Sequence, residues 1–161
     1  GLHVHVNRTT FGNTENEQEA AIARVLYFFE KFWEELLKFS RRTQRQLDHW
    51  AARYGYKEKP KDILDHAKGH NSAGRYTAVN LTNRDTVEFR MFRGTLKYNT
   101  LIATLELLDN ICEMAVYLTD KDVQGLSWTS FVVGCTQPEL VQYLKERRLY
   151  VNDAVASEED V

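Results

Sequence analysis

The first residues alternate. Leu2, Val4 and Val6 share one face of an extended chain and His3, His5 and Asn7 the other, which predicts a half-buried strand over 2–7. Thr14 followed by Glu17 has the spacing of a capping box, and a helical apolar stripe follows through Ile22, Val25, Leu26, Phe29, Phe32, Trp33, Leu36 and Leu37. A long helix near 15–38 is expected, with Tyr27 and Phe28 widening the stripe enough for packing on two sides. Thr43 caps a second helix near 43–54, through Leu47, Trp50 and Ala51, and Gly55 stops it. Residues 56–74 turn polar and basic and read as a loop with one helical turn at Asp62–His66. Alternation returns at 76–81 and 86–92 across the short link Thr82–Asp85, so two close antiparallel strands are expected. In the second, Val87, Phe89 and Met91 face one way, and Glu88, Arg90 and Phe92 the other. Helices are then predicted near 100–118, with Thr100 as cap and Leu101, Ile102, Leu105, Leu108, Ile111, Cys112 and Ala115 in the stripe. A shorter one follows at Trp128–Val132, and another near 136–148, from a Thr136–Glu139 box with Pro138 in its first turn. The order is that of an α+β fold, an antiparallel sheet packed by helices.

Composition narrows the function classes. The 161 residues suffice for one domain, taken as 1–151 with an acidic tail over 152–161. The 21 basic and 23 acidic residues leave a net charge of −2, with no overall electrostatic case for nucleic acid. No apolar run approaches the roughly 20 residues of a membrane span. Two cysteines, Cys112 and Cys135, make neither a disulfide scaffold nor a cysteine-based zinc site. Cys112 falls on an apolar helix face, and Cys135 has no evident activating histidine. With no segment that reads as a signal peptide, the expected setting is cytoplasmic.

Four polar side chains carry the candidate chemistry. His3 and His5 lie one strand repeat apart, roughly 6–7 Å at about 3.3 Å per residue, close enough to bracket a cation or phosphate. They could equally be two exposed residues on a solvated sheet face. Glu88 offers a hard oxygen ligand for Mg²⁺, and Arg90 two residues on can grip a bound phosphate, with a cross-strand salt bridge as the plainer alternative. If one sheet face carries all four, it must line a polar cavity, because core faces demand apolar residues. Arg41 and Arg42 at a helix junction, Arg75 ahead of the strand and Arg93 beyond it could donate to phosphate or carboxylate. Asn80, out of place on a strand by propensity, favours a polar role. His49 beside Trp50 reads as structural, and His66 and His70 have no spacing that demands a ligand.

Gly1–Val6, Ser40-Arg41-Arg42, Arg75–Leu81 and Thr86–Leu96, in this order, resemble the amidoligase family of phages and bacteria, related to glutamine synthetase and glutamate–cysteine ligase. The likeness runs from residue 1 to about residue 115. It implies part of a glutamine-synthetase-like fold and an ATP- and Mg²⁺-dependent carboxylate–amine ligase, forming an amide or isopeptide bond through an acyl phosphate. Its substrates would be small-molecule or peptide carboxylates and amines. Carried onto this chain, His3 and Glu88 become metal ligands and His5 a nucleotide contact. Arg90 and Arg75 become catalytic phosphate binders, with Arg41, Arg42, Asn80 and Arg93 as further cofactor contacts. Family members carry more acidic ligands on strands ahead of the histidine motif, where this sequence has no residues. The expectation is therefore a C-terminal part with little activity alone, completed by its missing N-terminal half or by homo-oligomerisation. A non-catalytic nucleotide- or protein-binding domain of the same fold is the alternative.

Overall fold

Three short strands form the antiparallel sheet that the alternation predicts. The computed structural model describes residues 1–69 and 74–150; His70 and the acidic tail over 152–161 lie outside the described residues. Strand β1 spans Val4–Asn7, β2 Val79–Asn80 and β3 Thr86–Phe89, in the order β1-β3-β2. The central strand β3 sets His5 and Asn80 directly across from Glu88 on either side, and Val4 and Val79 across from Phe89. All three strands are shorter than the periodic runs. Pairing continues beyond them through single bonds, Leu2 N–H to the Phe92 carbonyl and Arg90 N–H to that of Ala78. Residues 76–78 divert the rest of their bonding to Ala52, which donates to the Tyr76 carbonyl (2.8 Å) and accepts from Ala78 (2.9 Å).

Helix α1 covers Glu15–Lys31, with Thr14 Oγ1 accepting from the Glu17 N–H as the capping spacing predicts. Ala21, Ile22, Ala23, Val25, Leu26, Tyr27, Phe28 and Phe29 are all buried, so the helix is packed on more than one side. Phe29 stacks on Phe89 at 5.6 Å and joins it to the sheet. The single long helix expected to 38 is two. Phe32 departs from helical geometry (φ −107°, ψ 30°), and α2 restarts over Trp33–Ser40. No proline or glycine marks this break; it falls where Phe32 packs against both Phe28 and Trp128. Arg41 ends α2 in the left-handed region (φ 58°).

Helix α3, Gln44–Trp50, has the full Thr43–Gln46 capping box and ends short of the expected 54; Leu47 is buried and Trp50 is 50% exposed. The polar stretch after Gly55 is not a loop: α4 runs Pro60–Gly69 and buries Ile63, Leu64 and Ala67 against α1. Helix α5, Tyr98–Tyr117, starts ahead of Thr100, whose carbonyl instead accepts from Thr104 Oγ1 (2.8 Å). The expected stripe holds in the second half of the helix, where Leu108, Ile111, Cys112 and Ala115 are buried; in the first half Ala103 and Leu107 are buried instead and Leu105 is exposed. A one-turn helix that the periodicity did not indicate, α6 (Asp120–Gln124), is held by a Thr119–Asp122 capping box. Helix α7 covers Trp128–Val133, and α8, Pro138–Glu146, is preceded by Gln137 rather than capped by Thr136. Proline at the first position has no N–H to satisfy, which removes one reason for a side-chain cap.

Candidate active site

The alternation of β3 turns Val87 and Phe89 into the core and Glu88 to the opposite face, where a carboxylate would be costly without partners. It has four. Asn80 Nδ2 donates to Glu88 Oε1 at 2.9 Å and Arg90 Nη1 to the same oxygen at 3.3 Å. His5 Nε2 and His3 Nδ1 face Oε2 at 3.2 and 3.5 Å. Register makes this arrangement: His5 and Asn80 flank Glu88 across the ladder, and His3 and Arg90 follow one strand repeat away. Asn80 is itself held, its Oδ1 accepting from the N–H and hydroxyl of Thr82. Thr86 Oγ1 lies 3.0 Å from His5 Nδ1 and fixes the outer imidazole nitrogen.

These side chains line a cavity of about 370 Å³ together with Arg75, Tyr76, Thr82 and Asn83. Glu88 is 9% exposed and Arg90 10%, whereas His3 and His5 are 42% and 48% exposed and form the outer rim. Arg90 lies over the Tyr76 ring at 5.5 Å; Arg75 covers the same ring at 5.2 Å and donates to its hydroxyl. Arg90 Nε is buried and makes no hydrogen bond.

Burial alone would raise the Glu88 carboxyl. The hydrogen bonds from Asn80 and Arg90, with the charges of Arg90 and His5, outweigh it and hold the group below the ordinary carboxylate range. Glu88 is therefore an anion at neutral pH. His3 is shifted down, first by partial burial and then by the Arg90 charge, against the pull of Glu88. Its imidazole is neutral at pH 7 and free to act as a ligand.

Among the described residues no three His, Cys, Asp or Glu side chains are arranged to enclose a metal ion. Both imidazoles converge instead on a single carboxylate oxygen. One hard oxygen flanked by two imidazoles does not close around Mg²⁺ by itself. It fits an ion that brings phosphate oxygens and water with it, the usual state of Mg²⁺ on nucleotides.

The other basic candidates divide. Arg42 lies against the chain start, where a Cβ on Gly1 would stand 2.8 Å from its Nη1, and it feels the charges of Arg90 and Arg93. Burial and that repulsion depress it, and no carboxylate pairs with it among the described residues. Arg93 is exposed beside them. Arg41 lies beside Tyr143 of α8, and none of Arg41, Arg42 and Arg93 lines the cavity. Cys112 and Cys135 are buried free thiols pushed up to about 12 by burial, which suits core residues and not nucleophiles.

A family model described as "Putative amidoligase enzyme" matches residues 1–112. The chain belongs to this amidoligase family. The match takes in all three strands and every residue lining the cavity, and leaves α6, α7 and α8 outside it. No curated protein and no solved structure matches the chain. Membership gives the amidoligase chain a ligase function as its coarse assignment. Among the described residues no helix is long and apolar enough to cross a membrane. Two features of the amidoligase site were not expected from sequence. Tyr76 is a ring platform under both arginines, and Thr82 is the anchor of Asn80. Tyr76 could have been found from its place beside Arg75; nothing in the spacing singles out Thr82.

Proposed function

We propose that this domain works as an ATP- and Mg²⁺-dependent carboxylate–amine ligase, with Glu88 as the centre of its metal and phosphate site. The observation that carries the reading is the buried anionic Glu88, ringed by replaceable side chains on an open cavity and not by fixed backbone donors. Mg²⁺ would be held by Glu88 and His3, and when bound it supplies positive charge at the phosphate oxygens. Arg90 and Arg75 would neutralise the transferring phosphoryl group, and Arg42 and Arg93 extend the cationic surface toward the rest of the polyphosphate. His5, pinned by Thr86, would contact the nucleotide at the outer rim.

The chemistry balances in two steps. A substrate carboxylate oxygen bonds to the γ-phosphorus as the bond to ADP breaks. A neutral amine then attacks the acyl carbon, phosphate leaves with its bonding pair, and the amide nitrogen sheds a proton. The role of this chain's residues is to hold the anions together at low repulsion and to keep the acyl phosphate beside the amine.

The donor set also favours a second reading, a nucleotide-binding domain without turnover, because Glu88 is the only carboxylate in the cavity among the described residues. Titration calorimetry of ATP with and without Mg²⁺ tests the proposal. Mg²⁺-dependent binding is expected for the wild type, with a loss of about 100-fold or more in Glu88→Ala. Binding that is indifferent to Mg²⁺ and to Glu88→Ala would overturn the metal site. Binding without amide formation from any supplied carboxylate and amine would favour the second reading.

A further inference from the structure

Arg90 is 10% exposed and is held by two contacts of different kinds. Its Nη1 donates to Glu88 Oε1 at 3.3 Å, an oxygen that also accepts from Asn80 Nδ2 at 2.9 Å. Its guanidinium carbon lies 5.5 Å from the centre of the Tyr76 ring. Nε is buried without a hydrogen bond, so the polar hold on this cation among the described residues is one long bond to a shared oxygen. The neighbours make that hold precarious. The Arg90 charge reaches both Arg42 and His3 and depresses each of them.

Tyr76 is itself fixed from behind. Its carbonyl accepts from the Ala52 N–H at 2.8 Å, and its ring meets Trp50 edge to face at 5.6 Å. Arg75 covers the same ring at 5.2 Å and donates to its hydroxyl at 3.2 Å. The two anchors of Arg90 respond differently to a ligand. A carboxylate that turns toward a divalent cation gives up the guanidinium, and the charge of that cation then repels it. An aromatic face is not drawn away by the metal and keeps its attraction for a guanidinium.

We propose that Tyr76 is a positioning residue for phosphate binding: its ring keeps Arg90 in the cavity once Glu88 has turned to the metal ion, and its hydroxyl holds Arg75 beside it. Tyr76 acts through the two arginines and touches no reacting atom. The phosphate half of this assignment rests on the ligase reading above; the hold on Arg90 does not.

The test reads the Arg90 Nε–H resonance of the intact chain, assigned by its loss in Arg90→Lys. Burial slows its exchange with water, and the nearby ring shifts it. The shifted signal should persist in Tyr76→Phe and in Glu88→Ala, and should lose its ring shift in Tyr76→Leu. An unchanged signal in Tyr76→Leu, or its disappearance in Glu88→Ala, would overturn the proposal, because Glu88 would then be the anchor. Calorimetry with Mg·pyrophosphate reads the consequence for binding. Tyr76→Leu should bind about tenfold more weakly than the wild type, whereas Tyr76→Phe, which keeps the ring, should lose no more than about threefold. Equal affinities for the wild type and Tyr76→Leu would overturn this proposal alone. A wild type that does not bind Mg·pyrophosphate would overturn the ligase reading and the phosphate role of Tyr76 with it.

Discussion

Two carboxylates are buried among the described residues, Glu30 and Glu88, and they are held in opposite ways. Glu30, on α1, accepts from Arg53 Nε at 2.8 Å and from the backbone N–H groups of Tyr54 and Gly55 at 3.1 and 3.0 Å. Arg53 also donates to the Glu30 carbonyl and lies over the Trp33 ring. Two of those donors are main chain, and they stitch α1 to the segment after α3. Glu88 has only side-chain partners, all of them on a cavity and two of them on its rim. Fixed donors leave nothing to exchange, so Glu30 is a structural clasp. Replaceable donors around open space leave an anion that can trade imidazole and guanidinium for an incoming cation and phosphate. The difference in partner type separates site from scaffold more sharply than burial does.

The largest effect that would sharpen this contrast is on stability. Glu30→Ala leaves Arg53 and two N–H groups without an acceptor and should cost about 2–3 kcal/mol, reduced from the fully buried case because Arg53 is partly exposed. Glu88→Gln keeps an oxygen for Asn80 and Arg90 and should change stability by less than about 1 kcal/mol while removing Mg²⁺-dependent nucleotide binding. Urea unfolding of both variants checks this. A larger loss at Glu88→Gln than at Glu30→Ala would break the contrast.

A smaller effect concerns pH. His3 is lowered in the folded chain, so its contribution to stability is fully present above about pH 6.5, the unfolded value, and is lost as pH falls through the folded one. Glu88 is also lowered, and its contribution is present above about pH 4.3 and is lost only in stronger acid. Imidazole resonances should show His3 titrating below the ordinary range and moving lower still in Glu88→Gln, because the charge that pulls it up is gone. A His3 midpoint at or above the ordinary value would contradict the burial and Arg90 repulsion assigned to it.

How much of this was legible follows from what sets each feature. Alternation is a local property: it pairs His3 with His5 on one face of the first strand and Glu88 with Arg90 on one face of the third, and leaves open whether the two faces are the same. Register then did the rest, because setting His5 and Asn80 across from Glu88 needs long-range pairing that no single segment encodes. The break at Phe32 has no proline or glycine behind it and comes from tertiary packing of aromatic rings. Helix α4 was hidden by its charged surface, although Pro60 at its start and Ile63, Leu64 and Ala67 at helical spacing are a readable signal. The capping assignments at Thr100 and Thr136 failed where the chain entered the helix earlier or used proline instead. Leu47 of α3 and Ala51 at its end are buried and Trp50 between them is half exposed, a difference that a run of apolar residues in a short helix does not reveal.

A divalent ion bound with nucleotide should sit against Glu88 between the imidazoles of His3 and His5. Mn²⁺ added with ADP reports this through the histidine ring resonances, because paramagnetic broadening falls steeply with distance. The account predicts that substoichiometric Mn²⁺ broadens His3 and His5 selectively, leaves His49 and His66 sharp, and loses that selectivity in Glu88→Ala. Broadening that spares His3 and His5, or that strikes all the histidines alike and survives Glu88→Ala, would contradict it.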